Sequence, residues 1–211
     1  MPYDLITISR EYGAGASHLA ELLGARLGWP VLDAGIPAAV ATRLHLDPDS
    51  LEQWDEHAPR LLETLGNALM LGTPDVLIDP AYVSRPHPRD VAVATRALLL
   101  EAAATLPLII VGHGGQVIFA ARPCTLHLRL VAPVTQRCPR IMARRSCSAK
   151  EAVAIANHVD RDRAQYVRDY LDRDVHDPHL YALQINTGAV AMELAVDMVA
   201  MLIGQSVSPT V

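Results

Sequence analysis

The sequence predicts an α/β fold with three layers, α/β/α, around a five-stranded parallel sheet. Five short apolar segments have the composition of strands, and segments with helical periodicity separate them. Residues 108–111 form a continuous, branched, apolar run, as expected of a strand buried on both faces. Because strands alternate with helices through long connections, the strands are expected to be parallel, with helices on both faces of the sheet.

The elements follow from local patterns and breakers. The predicted strands cover residues 5–8, 31–32, 108–111, 125–131 and 183–186. The predicted helices cover residues 18–28, 36–46, 60–71, 91–106, 116–121, 134–145, 149–172 and 190–203. Four prolines between residues 72 and 90 predict a loop, so residues 47–90 are expected to form an insertion in a single domain of residues 1–204. Residues 205–211 are expected to be a frayed tail.

Composition restricts the class of protein. Apolar residues make up 51% of the 211 residues, which is ample for a core, and the net charge of -5 argues against a protein that coats nucleic acid. No apolar run approaches the ~20 residues that span a bilayer, and the start does not resemble a signal peptide. Cys124, Cys138 and Cys147 are odd in number and lack a Cys-x-x-Cys pair, which favours reduced thiols in a cytoplasmic protein.

A glycine-bearing turn lies between the first strand and the first helix. Its core is Gly13-Ala14-Gly15-Ala16-Ser17. Free amides at a helix start, together with glycines that allow close approach, form a ready anion site. Ser17 occupies the place of the magnesium-binding hydroxyl in a phosphate loop. Ala16, however, stands in place of the motif's lysine, and Arg10 stands in place of its first glycine. The turn is therefore either a phosphate loop without its lysine or a glycine turn that binds nothing.

Other polar residues follow strands or cluster on helices. Asp33 follows the second predicted strand, and His113 follows the strand at residues 108–111. In open α/β sheets, ligands bind at this carboxyl end of the strands. The alternatives are a helix cap for Asp33 and a backbone-bonded turn histidine for His113. Arginines concentrate between residues 137 and 168, where they could bind phosphate oxygens or form a solvated, internally salt-bridged helix pair.

Taken in order, these stretches resemble the cytidylate-kinase-like branch of the P-loop nucleoside monophosphate kinases, over most of the chain. The segments that carry the resemblance are 6–15, with Ser-Arg-Glu-Tyr-Gly, then Leu32-Asp33-Ala34-Gly35, Ile110-Val111-Gly112-His113-Gly114, Asp160 to Tyr166, Asp177-Pro178 and Tyr181 to Gly188. The resemblance implies a P-loop kinase fold, with a helical lid at about residues 134–165 and an inserted acceptor-binding region.

The resemblance also implies a role for each matching residue. ATP phosphates would lie on Gly13, Ala14, Gly15, Ala16 and Ser17, with Ser17 as a Mg²⁺ ligand. The acceptor would contact Asp33, Gly35, His113, Asp160 and Arg163. The lid would supply Arg137, Arg140, Arg144 and Arg145 to the transferred phosphoryl group. Arg10 or a lid arginine is the candidate substitute for the absent lysine.

The expected function is transfer of the γ-phosphoryl group of ATP to a nucleoside monophosphate, CMP or dCMP by resemblance. Ala16 in place of lysine, and His113-Gly114 in place of Arg-Asp, leave two alternatives: a nucleotide-binding or scaffold protein without transfer, and a kinase with another small acceptor. The expected partner is a small-molecule nucleotide, with no nucleic acid and no membrane. Residues 61–71 and the final helix are apolar enough to form a homodimer, or they belong to the core.

Overall fold

A computed structural model describes residues 3–33, 35–44, 88–105 and 107–204. The chain divides into two compact units. One unit comprises Met1–Asp33 with Ala102–Val211, and the other comprises Ala34–Glu101. The predicted helix at residues 60–71 and most of the predicted insertion lie outside the described residues.

The first unit holds a five-stranded sheet in which every pairing is parallel, as predicted. The strand order is β2-β3-β1-β4-β5. The strands are β1 (Leu5–Arg10), β2 (Val31–Leu32), β3 (Leu108–Val111), β4 (Thr125–Val131) and β5 (Leu183–Asn186).

The central strand, β1, is longer than its apolar run predicts. Ile6 and Ile8 are fully buried, which explains the sequence signal. The strand continues through Ser9 and Arg10 because these residues pair in register with Arg129 and Leu130 of β4. Pairing with β4 alone therefore extends the strand into residues that have no strand-like composition, since the pairing with β3 ends at Ile8.

Seven α-helices are described. They are α1 (Ala16–Leu27), α2 (Gly35–Arg43), α3 (Pro88–Ala102), α4 (Gly115–Ile118), α5 (Val134–Arg145), α6 (Ala149–Leu171) and α7 (Met192–Leu202). A short 3₁₀ helix covers Pro178–Leu180. The predicted bounds of α5 and of strands β2 to β5 are confirmed.

The other helix bounds differ from the prediction, and local geometry explains two of the differences. Helix α1 begins at Ala16, two residues early, because the left-handed Gly15 is its N-cap. Helix α3 begins at Pro88, inside the predicted loop, where proline is tolerated in the first helical turn. Helix α3 ends at Ala102 and α7 begins at Met192, so both are shorter than their apolar composition suggests.

Helices cover both faces of the sheet, as predicted. Buried residues of α1 and α7 share one apolar cluster with Ile6 and Ile8. On the opposite face α4 approaches closely, since a Cβ on Gly115 would lie 3.2 Å from Thr7 Cγ2. The helix that follows β1, α1, therefore packs on one face of the sheet, and the helix that follows β3, α4, packs on the other. A split of this kind creates the crevice in which open α/β sheets bind ligands.

The second unit contributes α2 and α3 to the described residues. Arg43 Nη1 of α2 lies 2.7 Å from Glu101 Oε2 of α3 in an exposed ion pair. The side chains of Arg96 and Glu101 on α3 are exposed.

The final helix combines a buried and an exposed apolar surface. Ala195 and Val199 are fully buried, whereas Leu194 and Met201 remain more than half exposed, at 53% and 59%. The buried residues assign part of α7 to the core, and a homodimer stays a prediction. None of the helices in the described ranges is long and apolar enough to cross a membrane.

Candidate phosphate-binding site

The turn between β1 and α1 has the backbone geometry of an anion-binding loop. Gly13 and Gly15 adopt φ values of 80° and 91°, in the left-handed region that favours glycine. The N–H of Leu19 donates to Gly15 O at 3.0 Å, which leaves the amides of Ala16, Ser17 and His18 ahead of the helical ladder. These amides and the positive end of the helix dipole can bind a phosphate group.

Packing around the loop also leaves little space beside the two glycines. A Cβ on Gly13 would lie 2.9 Å from Ile141 Cγ1, and one on Gly15 would lie 2.8 Å from Met192 Cε. Thr187, which is buried, donates its hydroxyl to Ala14 O at 2.8 Å. The loop is therefore held from both sides in the conformation that presents its amides.

An ion pair between the buried Arg137 and the partly buried Asp160 fixes the first half of the loop. The Arg137 side chain is buried, and its Nη1 donates to Asp160 Oδ2 at 2.6 Å and to Tyr12 O at 2.8 Å. The other oxygen of Asp160 accepts from Tyr12 N–H at 2.7 Å. Glu11 Oε2 accepts from Ala132 N–H at 2.9 Å and lies 3.7 Å from Arg137 Nε. Asp160 and Arg137 thus bind both backbone groups of the residue that precedes the first loop glycine.

Arg140 is the arginine of α5 that lies beside the loop glycines. Its Nη1 donates to Gly13 O at 3.1 Å, and the same nitrogen would lie 3.8 Å from a Cβ on Gly15. The side chain is exposed, unlike that of Arg137. Its charge is therefore near the loop, from which the motif's usual lysine is absent.

The other two arginines of α5 lie at its C-terminal end. Arg145 Nε donates to the Tyr12 hydroxyl at 3.1 Å, and Arg144 is exposed. Helix α6 follows through a capping box, in which Ser148 N–H donates to Glu151 Oε2 at 2.8 Å. This cap fixes the connection of the two helices that carry Arg137 and Asp160.

A second group of candidate residues lies where β1 and β3 end. Gly112 has a φ of 83°, and a Cβ on it would lie 1.6 Å from Arg10 Nη1, so the Arg10 guanidinium lies directly over this glycine. Arg163 Nη1 donates to Arg10 O at 3.3 Å. Burial lowers the pKa of Arg10, and the charge of Asp33 opposes that shift.

The two guanidinium groups in this region repel each other. The pKa of Arg163 falls to about 9, first because of burial and then because of the charge of Arg10. The Arg163 guanidinium also lies 5.5 Å from the centroid of the Tyr12 ring. Asp160 and Asp33 attract it and oppose the shift. Two crowded cations at the end of a parallel sheet favour the binding of an anionic group.

His113 is neutral at physiological pH. Burial, then the charges of Arg10 and Arg163, lower its pKa from 6.5 to about 3. Its φ of 53° places it in the left-handed region, between Gly112 and Gly114. It can therefore offer a hydrogen bond to a ligand, but it does not replace the fixed charge of an arginine.

Replacing His113 with Asn should flatten the acid side of the stability profile. Because the folded pKa is depressed, the unfolded state takes up a proton first as the pH falls from 6.5 towards 3. This uptake destabilises the native chain by up to about 1.4 kcal/mol per pH unit. Asn tolerates the left-handed conformation and does not titrate. Urea unfolding between pH 7.5 and 4.5 measures the effect, and parallel curves for the two proteins would contradict it.

The structure brings most of the predicted site residues into two groups. Arg137, Arg140 and Asp160 join the glycine loop, and Arg10, His113 and Arg163 join the end of β3. Gly35 begins α2, in the other compact unit. No role is predicted for Glu11, Tyr12 or Thr187, although each is part of a segment that carries the resemblance. Glu11 and Tyr12 directly precede the first loop glycine, and this position is the sequence signal that could have identified them as site residues.

Ser17 fits the predicted magnesium ligand. It is the second residue of α1 and is exposed, and the hydrogen bonds of the described residues do not involve its hydroxyl. No three His, Cys, Asp or Glu side chains among those residues are grouped to hold a metal ion. Mg²⁺ that is shared with nucleotide phosphates needs only one or two protein ligands, so a lone hydroxyl suits that mode of binding.

The comparisons with solved structures agree with this architecture. An uncharacterized protein from Eubacterium ventriosum ATCC 27560 is similar at 18% identity and a TM-score of 0.65, over 96% of this chain and 99% of that one. A shikimate kinase from Bacteroides thetaiotaomicron has 13% identity, a TM-score of 0.54 and coverage of 95% and 98%. A gluconokinase from Sinorhizobium meliloti 1021 has 12% identity, a TM-score of 0.51 and coverage of 96% of both chains.

These TM-scores, over nearly the whole length of each chain, show a common fold, that of the P-loop kinases. No curated protein matches the chain. The model of the cytidylate kinase-like family matches residues 5–189, which include the sheet, the glycine loop and the arginine-bearing helices. The chain therefore belongs to the cytidylate kinase-like family.

Proposed function

We propose that the chain transfers the γ-phosphoryl group of ATP to a small-molecule acceptor, with CMP or dCMP as the default. The observation that carries the proposal is the glycine loop, which leads into the free amides at the start of α1. The exposed Arg140 donates a hydrogen bond to Gly13 O of this loop at 3.1 Å. A cation beside preorganised amides suits the binding and neutralisation of phosphate charge.

In this proposal the donor phosphates lie on residues 13–17. Ser17 would hold Mg²⁺, which would supply positive charge to the phosphate groups when bound. Arg140 supplies the positive charge that Ala16 cannot supply. Arg137 and Asp160 hold the loop in place, because their polar groups are already bonded to Tyr12. Arg144 and Arg145 complete the lid.

The acceptor would lie near the end of β3. Arg163 and Arg10 would bind its anionic group, and neutral His113 would donate or accept a hydrogen bond. Asp33 would contact the rest of the acceptor, and the contact expected of Gly35 stays a prediction. Catalysis would consist of positioning and charge neutralisation, with exclusion of water when the lid closes.

A second candidate is a protein that binds nucleotide without transferring phosphate. Ala16 favours it, because this residue is 4% exposed and the position of the usual lysine carries no charge. A kinase with another acceptor is the third candidate, since similar folds occur in a shikimate kinase and a gluconokinase.

A coupled assay with ATP and Mg²⁺ distinguishes the candidates. We expect ADP release with CMP and dCMP, and the acceptor panel should also contain AMP, UMP, shikimate and gluconate. Turnover with shikimate or gluconate alone would favour the third candidate, a kinase with another acceptor. Calorimetric binding of ATP without turnover on any acceptor would favour the second candidate. Absence of both binding and turnover would refute the proposal.

A further inference from the structure

A cavity of about 660 Å³ runs along α6. Most of its wall consists of residues between Asn157 and Asp169 that are spaced three or four apart, so they lie on one stripe of the helix. His176, which lies beyond the helix, completes the wall. Arg161 and Arg168 line this cavity, whereas neither Arg163 nor the glycine loop does. The cavity therefore differs from the site proposed for phosphoryl transfer.

A buried arginine lies next to this cavity. Arg129, in the middle of β4, is 4% exposed. Its Nη1 donates to Ser9 Oγ at 3.3 Å and to Tyr181 OH at 3.4 Å, and its Nη2 lies 3.3 Å from His176 Nδ1. The guanidinium also lies 5.6 Å from the centroid of the Tyr181 ring.

All of these partners are neutral. Across the described ranges, the salt bridges do not include Arg129. A buried cation is costly unless a negative charge compensates it, and hydroxyl and imidazole acceptors compensate it only in part. An anion close to Arg129 would therefore be strongly favoured.

His176 connects Arg129 with the cavity. Because an arginine only donates, the contact requires His176 Nδ1 to be the acceptor, and the ring proton is then on Nε2. His176 is exposed and lines the cavity, so its Nε2–H is available to a ligand there. The field of Arg129 polarises the imidazole and makes that N–H a stronger donor.

The charges around the cavity favour an anion as well. Arg161 and Arg168 line it, together with the carboxylates of Asp160 and Asp169. The Asp160 carboxylate is already neutralised by Arg137 and bonded to Tyr12 N–H. Among the lining residues, two arginines therefore face one carboxylate that no described cation neutralises. Beside His176, the buried Arg129 offsets the exposed Asp174, whose Oδ1 accepts from His176 N–H at 2.9 Å.

We propose that this cavity binds a phosphate group, free or carried by a small metabolite, at a site separate from the glycine loop. Arg161, Arg168 and the Nε2–H of His176 contact the phosphate oxygens, and Arg129 acts through His176. The inference does not depend on the proposed kinase activity, because it uses none of the loop residues.

Titration of the ¹⁵N-labelled chain with inorganic phosphate at constant ionic strength tests the site. We expect saturable shifts at the His176 imidazole and at the amides of residues 165–176. His176→Ala and Arg168→Gln should each weaken the affinity at least fivefold. Arg173→Gln is the matched control, because Arg173 is an exposed arginine nearby that does not line the cavity. This control should bind as the unmodified chain does.

Arg129→Met tests the buried charge, and its fold is checked by circular dichroism before titration. A fivefold or larger loss in the folded variant supports the role of Arg129, and unchanged affinity refutes it. If this variant does not fold, the affinity of His176→Ala decides whether the site exists, because His176 is exposed and its replacement should leave the fold intact. Shifts confined to residues 13–18 would place phosphate on the loop and overturn the proposal, as would shifts that never saturate. Glucose 6-phosphate then shows whether the site takes a phosphate ester or free phosphate only.

Discussion

Replacing Asp160 with Asn should lower the free energy of unfolding by about 3 kcal/mol and weaken nucleotide binding at the same time. The substitution leaves the buried Arg137 guanidinium with Glu11 as its remaining carboxylate, 3.7 Å from Arg137 Nε. It also weakens the 2.7 Å bond from Tyr12 N–H, which fixes the start of the glycine loop. Urea unfolding and ATP calorimetry measure the two effects.

Asp169→Asn is the matched control for stability. Asp169 is an exposed aspartate on the same helix, so its loss should change the unfolding free energy by less than about 0.5 kcal/mol. An Asp160→Asn protein as stable as this control would contradict a buried ion pair that holds the loop.

A double substitution separates stability from loop geometry. Arg137→Met with Asp160→Leu removes both charges, and apolar replacement of a buried pair is often neutral for stability. The double variant should therefore be more stable than Asp160→Asn alone. ATP binding should remain weak, because the backbone N–H and C=O of Tyr12 have lost their side-chain partners, Asp160 and Arg137. Full recovery of binding would show that the loop holds its own conformation.

The fold could be predicted because its signals are local. Residues 108–111 are continuously apolar and lie in the middle of a parallel sheet, where both faces are buried. The end of β1 could not be predicted, because Ser9 and Arg10 are strand residues only through their pairing with β4. The start of α3 was missed for a related reason: proline breaks a helix interior but is tolerated in the first turn.

The site was predicted as a set of residue types, not as an arrangement. Asp160 was predicted to contact an acceptor, yet in the structure it binds Arg137 and the backbone of Tyr12. A contact between residues 148 positions apart leaves no periodic trace in one sequence. Likewise, four arginines of α5 were equivalent by composition, and only packing divides them into the buried Arg137 and the exposed Arg140.

Replacing Arg140 with Met should lower kcat/KM for ATP about 100-fold, the effect of removing one preorganised donor from a transition state. Methionine keeps much of the side-chain length but removes the charge beside Gly13 and Gly15. Arg140→Lys should keep part of the activity, because it restores a point charge without the guanidinium fork. Steady-state kinetics with varied ATP separates a loss of binding from a loss of turnover.

Arg173→Met is the matched control for that substitution. Arg173 is also an exposed arginine, and it donates to Asp172 O rather than to the loop. Its kcat/KM should stay within about twofold of that of the unmodified chain, since surface substitutions are usually neutral. If Arg140→Met behaves like this control, Arg140 does not replace the missing lysine. The charge would then have to come from Arg10 or from another lid arginine, which the same substitution at Arg10 and Arg144 would identify.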